Sequence, residues 1–158
     1  MRKLYFWENN WGKFCLIEEQ EKLVELYLPG DQMPAEGACA ATPLLLAGAK
    51  QIDEYLQGRR KEFSLPLAPR GTEFQLLVWQ ELMRIPYGET QYYQQCAVNL
   101  HRPAACRAVG MACNRNPLPL FIPCHRMLAK NGALQGFSAG LEMKMKLLCL
   151  EGITCWKQ

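Results

Sequence analysis

Runs in which apolar and polar residues alternate open the chain. Lys3–Trp7, Lys13–Glu18 and Leu23–Leu28 each read as a strand with one buried face. Asn9-Asn10-Trp11-Gly12 lies between the first two and has the composition of a hairpin turn. From Pro43 to Leu56 the spacing becomes helical, with Ala and Leu along one face. Ser64-Leu-Pro-Leu-Ala-Pro-Arg-Gly71 then interrupts any regular element with two prolines and a glycine. A domain boundary falls there, giving a small α+β unit over 1–66 and a second domain over 67–158. In the second domain Thr72 is positioned to cap a helix carrying Phe74, Leu77, Val78, Leu82 and Met83, which Ile85-Pro-Tyr-Gly88 ends. Thr90 is expected to cap another, running roughly from Tyr92 to Asn99. After the break Leu100-His-Arg-Pro103, a further helix is expected with Pro103 near its first turn, where a missing N–H costs nothing. That helix continues through Ala112 and stops before Pro117. Two short helices joined by three or four residues form a helix-turn-helix pattern.

Composition narrows the class. With 158 residues, 49% hydrophobic and 21% charged, the chain has enough apolar material for one ordinary domain or two small ones. No apolar run approaches the ~18 residues of a membrane span, and the N-terminus shows no secretion signal, so a cytoplasmic protein is expected. Eight cysteines occur without a C-x-x-C pair, and the only histidines are His101 and His125. That argues against a disulfide scaffold and against structural zinc; most of the cysteines should be small buried hydrophobes. Charge is divided unevenly. Residues 1–69 carry 8 basic and 10 acidic side chains, whereas 70–158 carry 10 and 5. Between Glu89 and Glu142 there is no acid, yet Arg102, Arg107, Arg115, Arg126 and Lys130 all fall there. Such a stretch points to a polyanion, with nucleic acid the first candidate. Ala104, Ala105, Ala108 and Gly110 on the second helix fit either a close approach to a groove wall or packing against another helix.

Leu118-Pro-Leu-Phe-Ile-Pro-Cys-His-Arg126 is the segment with reactive chemistry. An apolar, proline-bracketed run should deliver Cys124 and His125 into or beside a buried strand. Neighbours on an extended chain face opposite ways, so the two would meet only if the backbone turns or a water bridges them. A free thiol is mostly protonated at neutral pH. A histidine to take its proton, and a carboxylate to hold that histidine, would supply the thiolate. Glu142 and Glu151 are the only acids C-terminal to the motif.

The order Ile85-Pro-Tyr-Gly-Glu-Thr, Tyr93-Gln-Gln, Arg107-Ala-Val-Gly110, Asn116-Pro and Ile122-Pro-Cys-His-Arg126 closely resembles the O6-alkylguanine-DNA alkyltransferases. Gly136-Phe-Ser138, Leu141 and Leu147-Leu-Cys-Leu-Glu-Gly152 extend the match. The resemblance runs from about Gly71 to Gly152; residues 1–65 match the family only in length and α+β character. It implies a small N-terminal α/β domain of RNase H-like type, then a winged-helix or helix-turn-helix domain. It implies that Cys124 accepts an alkyl group from O6 of guanine, with O4-alkylthymine a further possible substrate. The protein would be consumed in one irreversible turnover as a monomer on double-stranded DNA, without cofactor or metal. By resemblance His125 is the base acting through a water, Glu151 its orienting carboxylate, and Asn116 a hinge residue. Arg107 is the finger that replaces a flipped-out base, and Tyr93 presses on the neighbouring phosphate. Ala104 and Ala105 fit minor-groove docking. Gln94, Arg102 and Lys130 are further phosphate contacts, while Phe137, Ser138, Pro119 and Cys113 border the base pocket.

Two departures stand out. His101 occupies the helix–helix turn where many relatives have Gly, and left-handed backbone there costs His more than Gly. Phe137 stands where several relatives have Tyr, which removes one pocket hydroxyl. Competing readings are a lesion-binding sensor without transfer, a cysteine hydrolase using Cys124, His125 and Glu151, and a plain helix-turn-helix regulator.

Overall fold

The computed structural model describes residues 1–129, 132, 137 and 139–154. It divides into two compact units, Met1–Arg70 with Pro117–Pro119, and Gly71–Asn116 with the residues from Leu120 onward. Both helices and strands are present, so the fold is mixed α+β. No described helix is long and apolar enough to cross a membrane.

In the first unit the expected strands form: β1 (Lys3–Asn9), β2 (Gly12–Glu19) and β3 (Lys22–Tyr27). β1 and β2 are antiparallel, with Trp7 opposite Phe14 and Leu4 opposite Ile17. Gly12 makes the turn at φ +127°, and a Cβ there would come within 2.8 Å of Pro29 Cβ. A two-residue strand, β4 (Ala38–Cys39), pairs parallel to β1 and completes the order β3-β2-β1-β4. Two residues are too few to leave a periodic trace, which is why the alternation pattern does not reveal β4. Helix α1 spans Pro43–Leu56, as its spacing predicts, with the Thr42 side chain accepting from the Leu45 N–H and Pro43 in the first turn. It buries Leu45, Ala49, Ile52, Tyr55 and Leu56. Gly48 lets it lie close to the sheet: a Cβ there would collide with the Leu16 side chain.

In the second unit α2 (Glu73–Leu82) starts at Thr72 with a full capping box, Thr72 and Gln75 satisfying each other's backbone N–H groups. Its Trp79 is buried and donates from Nε1 to the Ala112 carbonyl at 2.9 Å, tying α2 to the helix that holds Ala112. α3 (Tyr93–Asn99) and α4 (Cys106–Asn114) form the expected helix pair. His101 lies between them at φ +60°, the left-handed conformation anticipated for this turn.

Three local expectations are corrected. Thr90 does not cap α3. Tyr92 holds the N-cap position without a side-chain bond, because Gln91–Tyr92 (β5) is paired in parallel with Met127–Leu128 (β6). The second helix begins at Cys106, not near Pro103. Residues 102–105 form a tight turn in which the Ala105 N–H donates to the Arg102 carbonyl at 2.9 Å, so Ala104 and Ala105 precede α4. Finally, Cys124 and His125 do not sit within an extended strand: the run from Leu118 is a series of turns ending in a 3-10 turn, Cys124–Arg126, that places them beside the buried strand β6 (Met127–Leu128).

Candidate active site

The 3-10 turn answers how neighbouring residues can cooperate. The Arg126 N–H donates to the Pro123 carbonyl at 3.1 Å, so Cys124 and His125 do not project to opposite faces of an extended chain. The loop before it is strained. Leu120 is buried at φ +73°, where a side chain costs about 1–2 kcal/mol. Buried Asn116 holds the loop by donating from Nδ2 to the Ile122 carbonyl at 2.8 Å, consistent with the hinge position inferred from the resemblance.

His125 is fully buried, and its Nε2–H donates to Glu151 Oε2 at 2.7 Å. With Nε2 carrying the proton, Nδ1 is the basic nitrogen of the neutral ring. Glu151 follows α5 (Leu141–Leu150) as its C-cap. Its carboxylate also takes Arg126 Nε on Oε1 at 2.8 Å, Arg126 Nη2 on Oε2 at 3.0 Å, and the Gly88 N–H at 3.0 Å. Arg126 extends the net by donating from Nη1 to the Ile85 carbonyl at 2.7 Å, and its guanidinium stands 5.7 Å from the Tyr87 ring centre. Arg126 is therefore an internal ion-pair partner, not one of the cations open to a polyanion. Its forked geometry fixes both carboxylate oxygens, as a lysine could not.

Burial disfavours the charged forms of both reacting groups. Burial pushes the Cys124 thiol up from its ordinary value, while a hydrogen bond from Asn116 and the charge of Lys144 pull it down. Burial lowers the His125 pKa, and Glu151 opposes that shift. Lys144 was not anticipated. It is fully buried on α5, its Nζ lies 5.8 Å from the Tyr93 ring centre, and burial lowers its pKa to about 8. Its charge acts on both Cys124 and Cys113. The signal was present: Lys144 shares a helical face with Leu147, Leu148 and Glu151, a position where an apolar residue is the norm.

The remaining candidates fall as follows. Tyr93 is buried, and burial followed by the nearby Cys113 and Cys124 thiols raises its pKa. Cys113 is buried on α4, its thiol pushed well up by burial and then by Cys124. Phe137 is buried, and its carbonyl accepts the Gly140 N–H at 2.9 Å. Pro119 is buried and groups with the first unit. Arg107 is exposed on α4. Gln94 donates to the Pro103 carbonyl at 2.9 Å, and the Arg102 guanidinium lies 5.5 Å from the Phe74 ring centre. Ser138 and Lys130 lie outside the described residues. No cluster of His, Cys, Asp or Glu fit to hold a metal occurs among the described residues.

A buried thiol, imidazole and carboxylate in the same unit as a helix-turn-helix define a cysteine-nucleophile protein built to meet DNA. Residues 73–153 match the 6-O-methylguanine DNA methyltransferase DNA-binding domain, and residues 3–69 match the ribonuclease-like domain of the same proteins. The chain belongs to the 6-O-methylguanine DNA methyltransferase family. It is 41% identical over 154 residues to the constitutive methylated-DNA–protein-cysteine methyltransferase of Bacillus subtilis, covering 93% of each chain. It is 50% identical over 104 residues to the Methanosarcina acetivorans methylated-DNA–protein-cysteine methyltransferase, covering 66% of this chain and 67% of that one. The Mycobacterium tuberculosis OGT solved in complex with DNA superimposes with a TM-score of 0.87 at 32% identity, over 94% of this chain and 92% of that one.

Proposed function

We propose that this protein repairs DNA directly, moving the alkyl group of O6-alkylguanine onto Cys124 in a single, irreversible event. The observation that carries this reading is the buried relay in which Glu151, itself held by Arg126, orients His125 one residue from a buried thiol. His125 Nδ1 takes the thiol proton through a water. The sulfur then attacks the alkyl carbon in line, an S–C bond forms as the C–O6 bond breaks, and the departing guanine is protonated. Water does not cleave the resulting thioether, so the acceptor is spent. A buried thiol cannot reach a base within a duplex, so the damaged nucleotide is flipped out. Exposed Arg107 on α4 suits the role of filling the gap. Tyr93, Phe137, Ser138, Pro119 and Cys113 are assigned to the surroundings of the extruded base. Ala104, Ala105, Gln94, Arg102 and Lys130 are assigned to the DNA backbone and groove. The protein acts as a cytoplasmic monomer, and O4-alkylthymine is a further candidate lesion.

Intact-mass spectrometry tests the central step. After mixing with an O6-methylguanine duplex, the protein should gain one methyl group on Cys124, and Cys124→Ser should gain none. Label on Cys113 or Cys149, or repeated turnover with an unmodified protein, would refute the assignment.

A further inference from the structure

α4 spends one face entirely on the core. Val109, Ala112 and Cys113 are buried, and the Ala112 carbonyl is anchored by Trp79. The opposite face carries a stripe at four-residue spacing: Arg107, Met111 and Arg115, all exposed. Met111 is 55% exposed, and among the described residues only Met1, at 88%, is a more open large hydrophobic side chain. Its position is conspicuous for an apolar side chain. The inner face of the helix is closed to it, and it stands between two guanidinium groups. Neither Arg107 nor Arg115 forms an ion pair with a described residue. Along the helix axis Met111 lies about 6 Å from Arg107 and a similar distance from Arg115. That separation is close to two base steps of a duplex.

We infer that Met111 is an apolar DNA-contact residue, seating its thioether against the sugars and base edges of the minor groove next to the position filled by Arg107. This deepens the transfer reading and rests on it. Charge complementarity names the occupant: the stripe lies within the acid-free stretch between Glu89 and Glu142, which suits a phosphate-lined groove. An apolar partner of the arginines suits the inside of that groove, where wedges of Met, Leu or Phe part base steps and help to bend the duplex. The side chain of Met is unbranched and polarisable, so it adapts to the groove floor without demanding one sequence. The arginines supply a salt-dependent attraction, whereas Met111 adds a component that salt does not screen.

The test measures binding of an O6-methylguanine duplex across a salt series, in a Cys124→Ser background so that nothing reacts. Met111→Ala should weaken binding by roughly tenfold while leaving the slope of log affinity against log salt unchanged. Met111→Leu should bind close to the parent. Met111→Lys should steepen the slope by about one and still bind more weakly than the parent at high salt. Affinity unchanged in Met111→Ala, or Met111→Lys binding more tightly throughout the series, would overturn the inference alone. A parent that fails to bind the duplex, together with an unmethylated wild type, would instead overturn the transfer reading on which it rests.

Discussion

Glu151→Gln separates what the carboxylate does for the fold from what it does for the chemistry. The substitution keeps the size of the side chain and removes its charge. It leaves Arg126 buried with its guanidinium bonded to the Ile85 carbonyl and facing an amide in place of two carboxylate contacts at 2.8 and 3.0 Å. Removing one partner of a buried ion pair costs about 3–5 kcal/mol, because the other charge is left uncompensated. In a protein of this size that loss lowers the melting temperature by roughly 10 °C. The same change replaces the anionic acceptor 2.7 Å from His125 with an uncharged amide that can present its NH2 instead and no longer fixes the tautomer, which should slow transfer roughly 10²–10⁴-fold. Adding Arg126→Met divides the two effects. With both charges gone the core is neutral again, so the double variant should melt well above Glu151→Gln and reveal a coupling of about 2 kcal/mol or more. What stays lost is the bond to the Ile85 carbonyl, at about 1–3 kcal/mol. Transfer should remain slow in the double variant, since His125 still faces no carboxylate. Single-turnover rates on an O6-methylguanine duplex, paired with calorimetric melting of all four proteins, decide the matter. Recovery of transfer together with stability would refute a positioning role for Glu151 and reduce it to a structural anchor.

Two further outcomes are expected. Lys144 is a buried base whose pKa is lowered to about 8, so its positive charge is present below that pH and is lost as pH rises through it. Its pull on the Cys124 thiolate fades over the same range, and single-turnover rates should fall above about pH 8 in the wild type. Lys144→Met should be about tenfold or more slower below that pH and lack the falling limb; a wild-type profile in the variant would remove Lys144 from the chemistry. Arg107→Ala should slow reaction with duplex DNA far more than reaction with free O6-benzylguanine, and equal losses on both would mean that Arg107 does not serve base extrusion.

The elements legible in the sequence were those whose own residues dictate them. β1, β2 and β3 alternate apolar and polar side chains, α1 has a sustained helical face, and Thr72 announces the start of α2. What escaped was decided by partners distant in sequence. Thr90 has the chemistry of a cap, but the next two residues pair with Met127–Leu128, thirty-odd positions away, and the helix starts beyond them. The Leu118–Arg126 run has the composition of a buried strand. Its prolines remove ladder donors, however, and Asn116 takes the Ile122 carbonyl, so it turns instead. The family motifs pointed to Cys124, His125 and Glu151, and of these His125 Nε2 and Glu151 Oε2 stand 2.7 Å apart. Charge was the least readable property. Arg126 looked like one more cation in an acid-free stretch, yet its carboxylate lies 25 residues on and the pair is sealed inside. Lys144 drew no notice because a lysine in a helix is ordinarily solvated.

Those two residues explain how the site sustains its chemistry. Arg126 neutralises Glu151 and Lys144 is itself positive below about pH 8, so protonating His125 adds further positive charge to a buried pocket unless an anion forms with it. The thiol is likewise disfavoured as an anion by its own burial. In the proposed relay the two penalties offset each other when the proton passes from Cys124 to His125, creating both charges together. On that reading burial favours the protonated thiol at rest, and the proposed step ionises it in concert with the base. The proposed transfer then depends on the alkyl carbon and the base both being in place when the thiol gives up its proton.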